Sequence, residues 1–242
     1  MDKQPLITII TVCFNAEKEI EKTIQSVLGQ TFEDYEYLVI DGGSKDGTLD
    51  IIKKYASNSK LHWISEPDNG IYDAMNKGVD MAKGTWVNMM NSGDTFASND
   101  VLQRIFSSPI PNSKSFIYSD NYYIDDKGRK TYSKHDHTKL SILHQSSIYR
   151  KELHKKHGYY IVTPKIIVSD LLFFASIPEN EFLKVDVPIS RNSIGGVSSA
   201  EWCITQALCT KVIFRKMSFG TMLLHYISAH LKLYFPFLQK IL

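Results

Sequence analysis

Between Leu6 and roughly Ser107 the apolar residues switch repeatedly between a two-residue and a 3.6-residue period, and nothing else in the chain restricts its fold as strongly. Strand-like runs at 7–14, 37–40, 61–64 and 86–90 alternate with helical spacing at 15–28, 49–55 and 71–82. Parallel neighbours in a sheet need a crossover of about a dozen residues or more, so this order predicts a mainly parallel sheet with helices on both faces. Asn15 is placed to cap the first helix, with Ile20, Ile24, Val27 and Leu28 on one face and Gly29 at its end; Gly84 closes the third. Each apolar run stops abruptly at polar and Gly residues, the first at Asn15-Ala16-Glu17 and the second at Asp41-Gly42-Gly43-Ser44-Lys45-Asp46-Gly47-Thr48. Ligands of open α/β sheets bind beyond the carboxyl ends of the strands, so two polar loops are expected to face one crevice.

The second half has a different pattern. Residues 116–124 and 130–133 predict a hairpin around Asp125-Asp126-Lys127-Gly128, followed by a short strand at 146–149, a basic segment at 150–157 and a helix after Asp170. The stretch 217–242 is rich in Leu, Ile, Tyr and Phe but broken by His225, His230, Lys232 and Lys240, and Pro236 should kink any helix there. Charges and proline argue against a membrane span. A helix lying in the membrane interface, with Lys211, Arg215 and Lys216 meeting anionic lipid, is one reading; a helix docked on the core or in a dimer interface is the other.

Composition excludes several classes. With 242 residues, 43% of them hydrophobic, the chain can bury a full core, and a net charge of +2 is too balanced to argue for nucleic acid. Cys13, Cys203 and Cys209 are scattered, without a CxxC pair, so neither a disulfide framework nor a zinc site is expected and a reducing cytoplasm is the natural compartment. Met1-Asp2-Lys3-Gln4-Pro5 lacks the basic and apolar regions of a signal peptide. Neither G-x-x-x-x-G-K-[ST] nor G-x-G-x-x-G occurs, which argues against P-loop kinases and dinucleotide enzymes.

Four segments in order carry a more specific signal: Thr11-Val12-Cys13-Phe14-Asn15; Val39-Ile40-Asp41-Gly42-Gly43-Ser44-Lys45-Asp46-Gly47-Thr48; Ser65-Glu66-Pro67-Asp68-Asn69-Gly70-Ile71-Tyr72-Asp73-Ala74-Met75-Asn76-Lys77-Gly78; and Asn88-Met89-Met90-Asn91-Ser92-Gly93-Asp94. Together they resemble the inverting glycosyltransferases of family 2, and the third resembles the branch that builds bacterial capsule and exopolysaccharide repeat units. The resemblance covers the first hundred residues and then thins to His144-Gln145, Ser169-Asp170 and Gly195-Gly196-Val197-Ser198. It implies a GT-A fold over 1–210, with a nucleotide-sugar half at 1–107, an acceptor half at 108–210 and a helical tail at 211–242. It also implies transfer of one sugar from a nucleoside diphosphate sugar, UDP-linked by expectation, to a lipid-linked glycan at the cytoplasmic face of the membrane.

A sugar nucleotide needs a base pocket, a place for its diphosphate, and a hard cation to neutralise charge as the bond to phosphate breaks. Asp41, at a strand end, is placed to accept from a uracil N–H, a role the resemblance also implies; capping of the following turn is the alternative. Thr11, Phe14, Asn15 and Ser44 would line the same pocket, and Asp68, Gly70 and Asn76 match family positions that contact or shape it. Asp73 and Lys77 are either part of that site or solvated surface. Asp94 matches the last carboxylate of the family's D-x-D-like motif, which implies Mn²⁺ or Mg²⁺, with Asn91 or Ser92 assisting through water; a plain helix cap is the alternative. Asp170 stands where the family places its general base, although a cap is again open. His144, Gln145 and Arg150 are placed to orient the acceptor or its phosphate, although a His-Gln pair on a strand is more often structural. The absence of Q-x-x-R-W and of multiple spans points to single transfer over polymerisation. A silent nucleotide-sugar-binding subunit and a sugar nucleotidyltransferase remain the rival readings.

Overall fold

The computed structural model describes residues 4–125, 127–193 and 201–234. The first half alternates as expected: β1 (Ile7–Cys13), α1 (Ile20–Leu28), β2 (Tyr35–Asp41), α2 (Thr48–Lys54), β3 (Leu61–Ser65), α3 (Ile71–Met81) and β4 (Trp86–Met89). Then come β5 (Thr95–Phe96), α4 (Val101–Phe106), β6 (Phe116–Tyr118), β7 (Asn121–Ile124), β8 (Lys130–Ser133), β9 (Ser147–Arg150), α5 (Leu153–His157), α6 (Ser169–Ser176), β10 (Phe182–Lys184) and β11 (Ser190–Ser193). α7 (Glu201–Ile213) and α8 (Phe219–Tyr234) follow.

Seven strands form one sheet in the order β10-β6-β9-β4-β1-β2-β3, and four form a second, β5-β11-β7-β8. Strands β3, β2, β1 and β4 are mutually parallel, whereas β9 runs antiparallel between β4 and β6. Side chains alternate across β1: Ile7 and Ile9 pack with Ile20, Ile24 and Val27 of α1, and Ile10 and Val12 pack with Ala74, Met75 and Val79 of α3. Every residue of β1 and β2 is buried, as a strand covered on both faces demands. The second helix layer sits very close: a Cβ at Gly78 would lie 2.5 Å from Ile10 Cγ2, and one at Gly84 would lie 2.5 Å from the Thr8 backbone nitrogen.

Two expectations are corrected here. The first helix begins at Ile20, because Asn15 is left-handed (φ 49) and the residues after it are tied to the loop beyond β2. The expected strand 116–124 is divided: Ser119 and Asp120 break it, β6 joins the large sheet, and β7 pairs with β8 in the small one. Asp120 is claimed at that break by the His135 amide, the Tyr132 hydroxyl and Lys184. Helix α7 runs through residues 210 and 211, packs on α6 and, through Ala207, reaches the core, which Phe214 just beyond it also contacts. The kink expected at Pro236 lies outside the described residues. Among the described residues no helix is long and apolar enough to cross a membrane.

Candidate active site

The loops after β1 and β2 are stitched together at the carboxyl edge of the sheet. The Asn15 amide donates to Ser44 Oγ (2.7 Å), Lys45 N to Asn15 Oδ1 (2.8 Å), Ala16 N to Thr48 Oγ1 (2.7 Å) and Gly47 N to Glu17 Oε2 (2.9 Å). Beneath this seam Asp41 is fully buried, its Oδ2 accepting from Gly43 N (3.1 Å), Ser44 N (3.0 Å) and Ser65 Oγ (2.6 Å), and its Oδ1 from Ser44 Oγ. Burial alone would push this carboxyl up, but the Ser44 and Ser65 hydroxyls and the two amides hold it below the ordinary carboxylate value. Burial and the adjacent Asp41 push the Cys13 thiol up, so Cys13 stays protonated. A Cβ at Gly42 would press on Asp68 Oδ2, so a side chain there would require the Asp68 carboxylate to shift.

Above the loops opens a cleft of about 480 Å³. Phe14, Asn15, Asp68 and Gly70 line it, together with Glu19, Asn91 and Ser92. Phe14 is 61% exposed, an unusual situation for a large ring at a strand end and one suited to stacking on a planar ligand. Thr11, Asp41 and Ser44, expected to line the pocket, are buried and do not line this cleft; Thr11 Oγ1 donates to Met90 O (2.7 Å) and accepts from Tyr37 Oη (2.9 Å).

Two further expected residues are elsewhere. Asn76 is spent on the backbone of Tyr160, donating to its carbonyl (2.9 Å) and accepting from its amide (3.0 Å), so it ties α3 to the second half of the chain. Arg150 pairs with Trp86 and lies over its ring at 4.8 Å, because antiparallel β9 carries it to the opposite end of the sheet from the cleft. Asp73 and Lys77 brace the loop before α3: Asp73 accepts from Asn69 N (2.8 Å) and Lys77 pairs with Glu66 (3.0 Å).

The loop after β4 meets the second half of the chain. Asp94 N donates to Asn91 O (3.0 Å) with Gly93 at φ 98, a turn that needs glycine at that position. The Asp94 carboxylate accepts from Gln145 Nε2 (2.7 Å) and Ser193 N (3.2 Å), and burial pushes it above its ordinary value despite those bonds. Asn91 Oδ1 and Ser92 Oγ are buried without a hydrogen-bond partner. Next to them Asn91 Nδ2 lies 2.8 Å from His144 Nε2, and His144 Nδ1 lies 2.8 Å from Asp170 Oδ2. Asp170 Oδ1 is 2.8 Å from Tyr72 Oη. Burial would raise Asp170, but the His144 and Tyr72 bonds and the Leu171 amide hold it below the ordinary value, so it is an anion. Tyr72 is the partner that sequence reasoning missed; its place in Gly70-Ile71-Tyr72 was visible, but its contact with a residue 98 positions away was not.

The profile described as Glycosyl transferase family 2 matches residues 8–168, two thirds of the chain. This protein belongs to glycosyltransferase family 2. A "PGL/p-HBAD biosynthesis glycosyltransferase" of Mycobacterium bovis is 30% identical over 178 residues, covering 67% of this chain and 66% of the relative, just short of two thirds of its length. An "uncharacterized glycosyltransferase EpsJ" of Bacillus subtilis is 30% identical over 129 residues, covering 53% of this chain and 37% of the relative. Among solved structures, S. aureus TarS 1-349 in complex with UDP-GlcNAc superposes with a TM-score of 0.69 at 18% identity, covering 93% of this chain and 72% of that one. The mannosyltransferase PcManGT from Pyrobaculum calidifontis, in complex with GDP-Man and Mn²⁺, gives 0.64 at 14% identity, covering 97% of this chain and 82% of that one. The family 2 member therefore has the mixed α/β fold of GT-A glycosyltransferases.

Proposed function

We propose that the protein is an inverting glycosyltransferase that moves one sugar from a UDP-sugar to a hydroxyl of a lipid-linked glycan, in the making of a capsule or exopolysaccharide. The observation that carries this reading is the cleft itself. It lies at the carboxyl ends of the parallel strands, offers Phe14 and Asn15 on one side, and on the other reaches Asn91, which is bonded through His144 to the carboxylate of Asp170. TarS, of the same fold, was solved with UDP-GlcNAc in place.

In this reading Phe14 stacks on the base, Asn15 and Gly70 shape its edge, and Asp41 acts from below by fixing the loop while Asp68 closes the rim. Asp170 takes the proton of the attacking acceptor hydroxyl, whose oxygen forms the new bond to the anomeric carbon as UDP departs from the opposite face. Among the described residues no Lys or Arg lines the cleft, so the charge of a diphosphate calls for a cation. Among the described residues no three acidic, His or Cys side chains cluster to hold a metal. The residues present still fit Mn²⁺ or Mg²⁺ of the kind held by one carboxylate, water and substrate phosphates: Asp94 would hold it, and the unpartnered Ser92 Oγ would assist through water. Such an ion neutralises charge on the departing diphosphate. Gln145 positions Asp94, and His144 belongs to the acceptor side through Asp170.

Membrane contact is assigned to α8, where Phe219, Leu223, Leu224 and Ile227 are exposed. Of the basic residues expected to meet lipid, Lys216 is paired with Glu179 and Lys211 is half-buried, leaving Arg215 exposed. Calorimetric titration with UDP tests the donor site: binding in Mn²⁺ that is lost in EDTA and in Asp94→Ala supports it. Absence of UDP binding in both buffers would remove the UDP assignment.

A further inference from the structure

His144 joins the two halves of the site, and its bonding settles which of its nitrogens carries a proton. The amide nitrogen of Asn91 can only donate, so Nε2 of His144 must accept, and the proton of the neutral ring lies on Nδ1, facing Asp170 Oδ2 at 2.8 Å. Turning the Asn91 amide over would set Oδ1 against a protonated Nε2, and because the Asp170 anion can only accept, the ring would then be the imidazolium, with Nδ1–H still donating to Asp170. The direction of the His144–Asp170 bond is therefore the same in both arrangements.

The other bonds to Asp170 are weaker claims. Tyr72 has one hydroxyl proton, contested between Asp170 Oδ1 (2.8 Å) and the Ile167 carbonyl (2.7 Å), and Leu171 N reaches the same Oδ1 from the adjoining residue (2.9 Å). Oδ2 depends on His144 for its protein donor among the bonds described. The Tyr149 and Tyr160 hydroxyls are bonded to each other (2.7 Å), and Asp94 and His144 interact electrostatically. No Lys or Arg bonds to Asp170 among the described residues.

We propose that His144 is the positioning residue of the base: its Nδ1–H clamps Asp170 Oδ2, fixes the plane of the carboxylate, and keeps it deprotonated in a buried site, so that the second lone pair of Oδ2 faces the acceptor hydroxyl. The proposal rests on the reading of Asp170 as the base. Removing the clamp leaves burial opposed only by Tyr72 and a neighbouring amide, which frees the carboxylate to rotate and raises its proton affinity.

The test uses the full chain and carboxyl ¹³C NMR, with the Asp170 signal assigned by its loss in Asp170→Asn. In the native protein Asp170 titrates below the ordinary carboxylate value; in His144→Phe the titration moves up, and in His144→Asn, whose amide can donate to the same oxygen, it returns toward the native position. An Asp170 titration unchanged in His144→Phe overturns the proposal, as does a ¹⁵N spectrum placing the proton of the neutral ring on Nε2. If His144→Phe does not fold, the ¹⁵N spectrum and His144→Asn carry the test. Release of UDP from UDP-GlcNAc into water separates the two ideas: Asp170→Asn retaining full release removes the base assignment, whereas Asp170→Asn losing release while His144→Phe titrates and turns over as the native protein removes only the clamp.

Discussion

The Asp41 carboxylate is wholly enclosed and bonded by donors alone, so an amide in its place would aim its own N–H₂ at the Gly43 and Ser44 amides or at a serine hydroxyl. Hydrogen bonds to a charged group contribute about 1.5–3 kcal/mol, and Asp41→Asn is expected to lose on the order of 2 kcal/mol in urea unfolding at pH 7. The sign of the pH effect follows from the lowered value: the stabilisation is complete well above 3.8 and is lost as pH falls through the folded-state value, so the difference between native and variant narrows in acid. Unfolding curves at pH 7 and pH 3 check this. Residue types and positions, with the family resemblance, named Phe14, Asn15, Asp68 and Gly70 for the donor pocket and His144 and Asp170 for separate roles, and did not show that these last two are bonded to each other. They were not enough to tell Asn76 from a ligand residue, because a polar side chain on a helix reads alike whether it meets a nucleotide or the backbone of Tyr160.

Elements were legible where their period was long and were not where direction mattered. The parallel half emerges from the alternation of periods, since β1 and β2 bury every residue and the helices between them cover both faces. A short strand carries no mark of its direction. Ser147–Arg150 pairs antiparallel with β4, and that reversal alone moves Arg150 from the cleft edge to the far end of the sheet. Close approach was likewise invisible at Gly84, which the sequence marks only as the end of a helical stretch. Its Cβ would lie 2.5 Å from Thr8 N and 2.7 Å from the Ile7 carbonyl carbon, backbone atoms that cannot step aside singly. Overpacking of this kind costs about 1–3 kcal/mol, so Gly84→Ala is expected to lower the thermal midpoint by several degrees, about 2–4 °C per kcal/mol in a domain of this size, without a specific loss of UDP affinity. Calorimetric melting and UDP titration of the same variant separate the two effects.

At the scale of the whole molecule, the chain combines a two-sheet body with a helical end whose exposed face is apolar: Ile213 is 73%, Phe219 66% and Leu224 70% exposed. With Lys216 occupied by Glu179, attraction to anionic lipid has little to work with, so attachment is expected to depend on apolar burial and to survive high salt, which screens surface charge. Full-length protein is expected to co-sediment with anionic lipid vesicles in both low and high salt, and protein ending before Met217 to stay in the supernatant; a full-length protein that never sediments removes the membrane assignment. The seam between Asn15, Ala16 and Glu17 on one loop and Ser44 to Thr48 on the other has a further effect. A mould with no slack discriminates by shape. A nucleotide entering beside that seam meets amides already committed to partners, and little ordering entropy is lost there on binding. If the proposed UDP site is used, a purine nucleoside diphosphate is expected to bind more weakly than UDP, which parallel titration of the two checks.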